Sequence, residues 1–162
     1  MTTIAFKDGL MAGDSCWNVS GIIDTLSHKI IRLKSGALLG QSGDNDIREL
    51  VDMLQNVKSA KSLPSYSAIA AVRVDATLLL ALQNGYTFKV STSKKLTHED
   101  TDDLGIWRIE RQFCAIGAGA ELALGAMAFG ANAHQAVQIA CRWDINSRPP
   151  VYSYPLKIPR KV

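Results

Sequence analysis

A threonine stands second in this chain, and what it can do depends on whether Met1 is removed. Methionine aminopeptidases trim the initiator when the next side chain is small, and threonine qualifies. The product begins with Thr2, carrying a free α-amine on the carbon beside its hydroxyl-bearing one. With an unperturbed pKa of about 7.7–8.0, that amine is partly neutral near pH 7 and can serve as a base. A threonine next to its own N-terminal amine is therefore an activated nucleophile. A chain that keeps Met1 has an amide at that place, and an amide is no base. Met-Thr-Thr also opens many ordinary chains, so the pattern needs support downstream.

Other reactive residue types give weaker patterns. Asp14 and Lys29 read, by themselves, as a turn aspartate and a strand-edge lysine. Cys16 with His28 suggests a thiol nucleophile, but no third group orients the pair. His28 and His134 otherwise read as exposed, and Cys114 and Cys141 fall on apolar faces as core residues. Gly117-Ala118-Gly119 ahead of a helix could cradle an anion. Leu122 stands where a dinucleotide fingerprint needs its third glycine, so no cofactor is expected. His98 among Glu99, Asp100, Asp102 and Asp103 lacks the spacing of a divalent-ion loop and reads as a solvated segment, so no metal is expected either. There is no G-x-S-x-G and no H-E-x-x-H.

Composition narrows the classes. The chain has 162 residues, 47% hydrophobic and 20% charged, enough to bury a core as one domain spanning 1–162. The net charge of +3 lies partly in the tail, at Lys157, Arg160 and Lys161, without a basic stripe interleaved with aromatics, so nucleic acid is not the expected partner. Three cysteines without C-x-x-C spacing fit a reducing cytoplasm. No secretory h-region and no apolar run of about 20 residues is present, so neither export nor a membrane is expected.

The elements that must position these residues follow from pattern. Thr2 to Lys7 and Leu10 to Gly13 read as strands around an Asp8-Gly9 turn. Residues 15–27 read as an irregular loop. A second hairpin joins residues 29–33 to 37–41 through Lys34-Ser35-Gly36. Asp44 is the expected N-cap of a helix whose apolar face is Ile47, Leu50, Val51 and Leu54. Residues 67–74, 77–82 and 86–91 read as strands, 93–103 as a polar loop, and 107–109 and 113–116 as strands. Two helices follow, Ala120 to Phe129 stopped by Gly130, and one opened by an Asn132–Gln135 capping box. A last strand, Val151 to Tyr154, completes an α+β order.

Six segments in order carry a family resemblance: Thr2-Thr3-Ile4, Ala12-Gly13-Asp14, residues 29–33, Leu39-Gly40-Gln41-Ser42-Gly43, Ala115-Ile116-Gly117-Ala118-Gly119, and Asp144-Ile145-Asn146-Ser147. Over nearly its whole length the chain resembles the proteasome β-subunit and HslV family of N-terminal nucleophile hydrolases, most of all the short proteasome-like proteins of phages and prophages. The resemblance implies a four-layer αββα sandwich and a threonine-type peptidase. Thr2 would be the nucleophile, with its own amine as base. Lys29 would set a positive charge beside the hydroxyl and Asp14 would hold Lys29 in place. The N–H of Gly40 would face the developing oxyanion. Asp144 and Ser147 would orient the amine, and Ser27, Ile31, Leu38 and Ser42 would line the first substrate pocket. Where the family carries a serine, this chain has Ala118. The substrate would be a peptide or unfolded protein, the assembly a homo-oligomeric ring, and an ATP-dependent unfoldase a possible partner. The alternative is a catalytically silent assembly module that keeps Met1.

Overall fold

The structure, a computed structural model, describes residues 2–19, 22–24, 28–94 and 104–157. Among the described residues, eleven strands and four α-helices follow in the order β1 (Thr3–Lys7), β2 (Leu10–Gly13), β3 (Trp17–Val19), β4 (Ile22–Asp24), β5 (Ile30–Arg32), β6 (Leu38–Gly43), α1 (Arg48–Leu54), α2 (Tyr66–Ala70), β7 (Ala76–Ala81), β8 (Thr87–Thr92), β9 (Gly105–Ile109), β10 (Phe113–Gly117), α3 (Ala120–Ala128), α4 (Ala133–Trp143) and β11 (Tyr152–Pro155). A four-stranded antiparallel sheet runs β10-β1-β2-β11, and a five-stranded one runs β5-β6-β7-β8-β9.

Alternation along the strands builds the layers. Ile4, Phe6, Met11 and Ile116 of the first sheet meet Ile30, Leu38 and Leu79 of the second in a core between the two. The opposite faces carry the helices. Ala5 and Ala12 pack under Ala123 and Met127 of α3 and Ala133, Ala136 and Val137 of α4. Leu39, Leu78 and Leu80 pack under Leu50 and Leu54 of α1 and Ile69 of α2. Successive side chains of a strand point to opposite faces, so each buried strand serves two cores. Helix, sheet, sheet, helix is the four-layer sandwich expected from the resemblance.

Several local expectations change. Residues 67–74 are not a strand: Ser65 caps α2, its hydroxyl accepting from the Ala68 N–H at 3.3 Å. A cap after Pro64 and alanines on the following turn outweigh the β-leaning run. Residues 15–27 contain the short β3–β4 hairpin, with Trp17 paired to Asp24 and Val19 to Ile22. Asp44 does not cap α1, whose N-cap Ile47 makes no side-chain bond. The Asp44 carboxylate instead accepts from the Asp75 N–H at 3.2 Å and pairs with Lys94 at 2.6 Å. The capping box of α4 forms in both directions, at 2.9 and 3.0 Å.

Candidate active site

The site forms where β1 begins. Thr2 is buried, and its carbonyl accepts from the Ala118 N–H at 2.7 Å. Gly117 makes that approach possible: it holds φ +93°, and a Cβ there would collide with the Thr2 carbonyl and lie 3.3 Å from Ser42 Oγ. The left-handed backbone and the close contact each require glycine. Ser42 therefore lies beside Gly117, next to the Thr2 carbonyl.

Asp14 lies on the rung opposite Thr3, where the ladder bond from Asp14 N to Thr3 O is 3.1 Å. Its carboxylate is fully enclosed and takes four donors. Oδ1 accepts from Thr3 N at 2.7 Å and Lys29 Nζ at 2.9 Å. Oδ2 accepts from Cys16 N at 2.9 Å and Arg148 N at 3.2 Å. Lys29, just ahead of β5, is also buried, so the pair is shielded from solvent screening. Ion pair and N-terminus thus meet through Thr3.

A second polar line comes from the end of α4. Asp144 Oδ2 accepts from Ser147 Oγ at 2.6 Å, and Oδ1 from Asn146 N at 3.1 Å. Ser147 Oγ is 2.6 Å from Thr3 Oγ1, which also accepts from Gly119 N at 3.1 Å. In the Gly117-Ala118-Gly119 stretch considered as an anion cradle, the Ala118 and Gly119 amides thus serve the chain's own oxygens, Thr2 O and Thr3 Oγ1. Asp144 and Ser147 reach the start of the chain through the Thr3 hydroxyl, a residue that sequence reasoning did not single out. The repeated Thr-Thr was the available signal.

The glycine at the strand end needs correction. Asp44 N donates to Asp75 O at 2.7 Å, whereas Gln41 N donates to Lys29 O at 2.9 Å. Even-numbered residues of β6 therefore turn their N–H groups toward β7, and odd-numbered ones toward β5. Gly40 pairs with Leu79, so its N–H enters the ladder with β7 instead of facing Thr2. Its missing side chain accommodates Ile4 and Met11, since a Cβ would lie 2.6 Å from Ile4 Cγ2 and 3.2 Å from Met11 Sδ. Gly43, exposed at the end of β6 with φ +107°, turns its N–H to the β5 side, one rung past Lys29. Leu38 is fully enclosed between the sheets and cannot line an open pocket. Ile31 packs at the edge of the α1–α2 core. Ser27, like His98, lies outside the described residues.

The thiol reading loses its histidine. The His28 ring stacks on Tyr152 at 4.1 Å between centroids and meets Tyr154 OH at 3.1 Å. Burial pushes the Cys114 and Cys141 thiols up to about 12. Cys141 is only half-buried, and His134 bonds Ser153 Oγ at 2.7 Å instead of facing solvent freely. Among the described residues, no group of three or more His, Cys, Asp or Glu could hold a metal ion. No described helix is long and apolar enough to cross a membrane.

Solved structures share this architecture from end to end. HslV from Trypanosoma brucei superposes with a TM-score of 0.70 at 17% identity, over 94% of this chain and 97% of that one. The fold is that of HslV. BPH from Thiobacillus denitrificans gives a TM-score of 0.65 at 20% identity, covering 99% of each chain. BPH in complex with epoxomicin gives 0.64 at 21% identity, over 96% of this chain and 98% of that one. No family model and no curated protein matches the chain. The likeness to HslV is therefore one of fold, the four-layer αββα sandwich.

Proposed function

We propose that this chain is a threonine-type peptidase whose nucleophile is Thr2 after loss of Met1. One observation carries the reading: the buried Asp14–Lys29 pair and the Asp144–Ser147 pair both converge on Thr3, the residue after the nucleophile. The shared fold of HslV and of BPH, one of whose structures is a complex with epoxomicin, supports it.

In this mechanism the Thr2 hydroxyl oxygen attacks a peptide carbonyl carbon and the α-amine takes the hydroxyl proton. The carbonyl oxygen becomes an oxyanion that accepts from Gly43 N–H, a donor worth about 3–4 kcal/mol in such a position. The C–N bond then breaks, the α-ammonium returns its proton to the leaving amine, and Thr2 carries an ester. A water molecule, deprotonated by the same amine, attacks the ester carbonyl; the bond to Thr2 Oγ breaks, the ammonium returns its proton to that oxygen, and the acid leaves. Lys29 contributes fixed positive charge beside the hydroxyl, held by Asp14. Ser42 borders the substrate position. A peptide or unfolded-protein substrate, a homo-oligomeric ring, an ATP-driven unfoldase and a cytoplasmic setting belong to the same reading.

Intact mass and labelling test it together. The reading expects a mass short by one methionine and covalent labelling at Thr2 by an electrophilic threonine-directed inhibitor, with no labelling of Thr2→Ala. A mass that retains Met1, with no labelling, overturns the peptidase and leaves a silent assembly module.

A further inference from the structure

We propose that Thr3 is a positioning residue of this site, holding the nucleophile in place from Asp14 through its amide and from Asp144, by way of Ser147, through its hydroxyl; this rests on the threonine-peptidase reading of Thr2. Alternation on β1 sends Ile4 and Phe6 into the inter-sheet core and Ala5 under α3 and α4. Thr3 falls on the Ala5 side, enclosed at 0% exposure, and its hydroxyl bonds there to Ser147 and Gly119. Extended one residue back, the same alternation turns Thr2 toward the opposite side. The nucleophile and its anchor thus occupy opposite faces of adjacent residues.

Donor counting fixes the direction of the hydroxyl line. The Gly119 amide can only donate, and it donates to Thr3 Oγ1 at 3.1 Å. The Asp144 carboxylate can only accept, and it takes the Ser147 hydroxyl proton at 2.6 Å. The 2.6 Å contact between the two hydroxyls is therefore donated by Thr3 to Ser147. Every proton in the line is committed, and the charged end makes it a short, strong array. The Thr3 N–H meanwhile donates to Asp14 Oδ1 at 2.7 Å. One residue is thereby fixed from its amide by Asp14 and from its side chain by Asp144, and the peptide that carries the Thr2 carbonyl has little freedom to rotate.

Thr3→Val removes the hydroxyl while keeping the β-branched shape that suits a buried strand position. Thr3→Ser keeps the hydroxyl and trims a methyl. The measurement is the rate of Thr2 labelling by an electrophilic threonine-directed inhibitor across pH 6–9, with thermal melting alongside. Thr3→Val is expected to label at least about tenfold more slowly at saturating inhibitor, at unchanged half-saturating concentration and with an altered pH profile, because misplacing a reacting group by about 1 Å can cost 10²-fold. Thr3→Ser should restore the rate to within about threefold. Ser147→Ala, which breaks the line from its other end, should match Thr3→Val, and the double variant should be no slower than either single one. If Thr3→Val does not fold, Ser147→Ala and Thr3→Ser still decide: a parent rate in Ser147→Ala, or a Thr3→Ser rate as low as that of Ser147→Ala, overturns the proposal. Labelling of folded Thr3→Val at the parent rate, or additive losses, overturns it and leaves the peptidase reading standing. No labelling of the parent chain removes both.

Discussion

The Asp14–Lys29 pair should respond unequally to loss of its two halves. Asp14→Ala withdraws the acceptor from four donors at once: the Thr3, Cys16 and Arg148 amides and the Lys29 ammonium. All this happens in a place where the Asp14 side chain is 0% and the Lys29 side chain 4% exposed. Removing one partner of a buried pair costs about 3–5 kcal/mol, because the remaining charge stays desolvated. Lys29→Met is the milder change. Methionine fills a similar volume, and the carboxylate keeps its three amide donors, so the loss is nearer the worth of one charged hydrogen bond, about 1.5–3 kcal/mol. Equilibrium urea unfolding of both variants, followed by far-UV circular dichroism, measures the difference. Labelling at Thr2, followed in parallel, should fall in both variants. A Lys29→Met variant that loses as much stability as Asp14→Ala, or more, would refute the reasoning: the carboxylate would then owe its place to the lysine alone and not to the amides around it.

Gly117→Ala should cost more than about 1 kcal/mol, since φ +93° is unsuited to alanine and the new methyl meets the Thr2 carbonyl; thermal melting and slower Thr2 labelling check it. Gly43→Ala should slow labelling through strain at φ +107°, while Gly40→Ala should act mainly on stability by pressing on Ile4, so the two glycines separate in an experiment that reads both. Cys114 and Cys141, raised by burial from 9.0 to about 12, should hold about a thousandfold less thiolate near neutral pH than ordinary thiols, so native-state alkylation at pH 8 should be correspondingly slow and should quicken in urea. The hydrogen bond from Lys94 holds the Asp44 carboxyl below its usual 3.8. A depressed folded pKa stabilises above the unfolded value and loses that effect as pH falls through the folded one. The melting-temperature gap between the parent and Asp44→Asn should therefore be full at neutral pH, close on acidification below 3.8, and shrink in high salt.

Much of this architecture was legible because period and punctuation agree. Asp8-Gly9, Gly36, Asn84-Gly85 and Gly130 mark turns whose flanking segments fold as expected, and the Asn132–Gln135 box opens α4 as written. Where local signals conflict, tertiary context decides. The segment after Pro64 carries both strand-forming side chains and a serine cap, and the cap prevails: as a helix the segment buries Ile69 against α1 and the sheet. Asp44 looked like a cap because it precedes an amphipathic run, yet Lys94 and the Asp75 amide, distant in sequence, claim its carboxylate.

The site was legible in its members and not in its directions. Asp14, Lys29, Asp144, Ser147 and the glycine pair around Ala118 do come together, because the rungs from Thr3 to Asp14 and from Thr3 to Gly117 bring β2 and β10 to the start of β1. Sequence spacing cannot say which way an amide points. That depends on ladder parity, which turns the Gly40 N–H toward β7 and the Gly43 N–H toward the β5 side, and places Leu38 inside a core. The same two-residue period accounts for the proposed anchor, Thr3, standing next to the proposed nucleophile, Thr2. The start of β1 has one face toward the helices, where the Thr3 hydroxyl is fixed by Ser147 and Gly119, and one toward the space between the sheets. Two consecutive threonines take one face each, so Thr3 can be held from the helix side while the Thr2 side chain is left clear of its anchors.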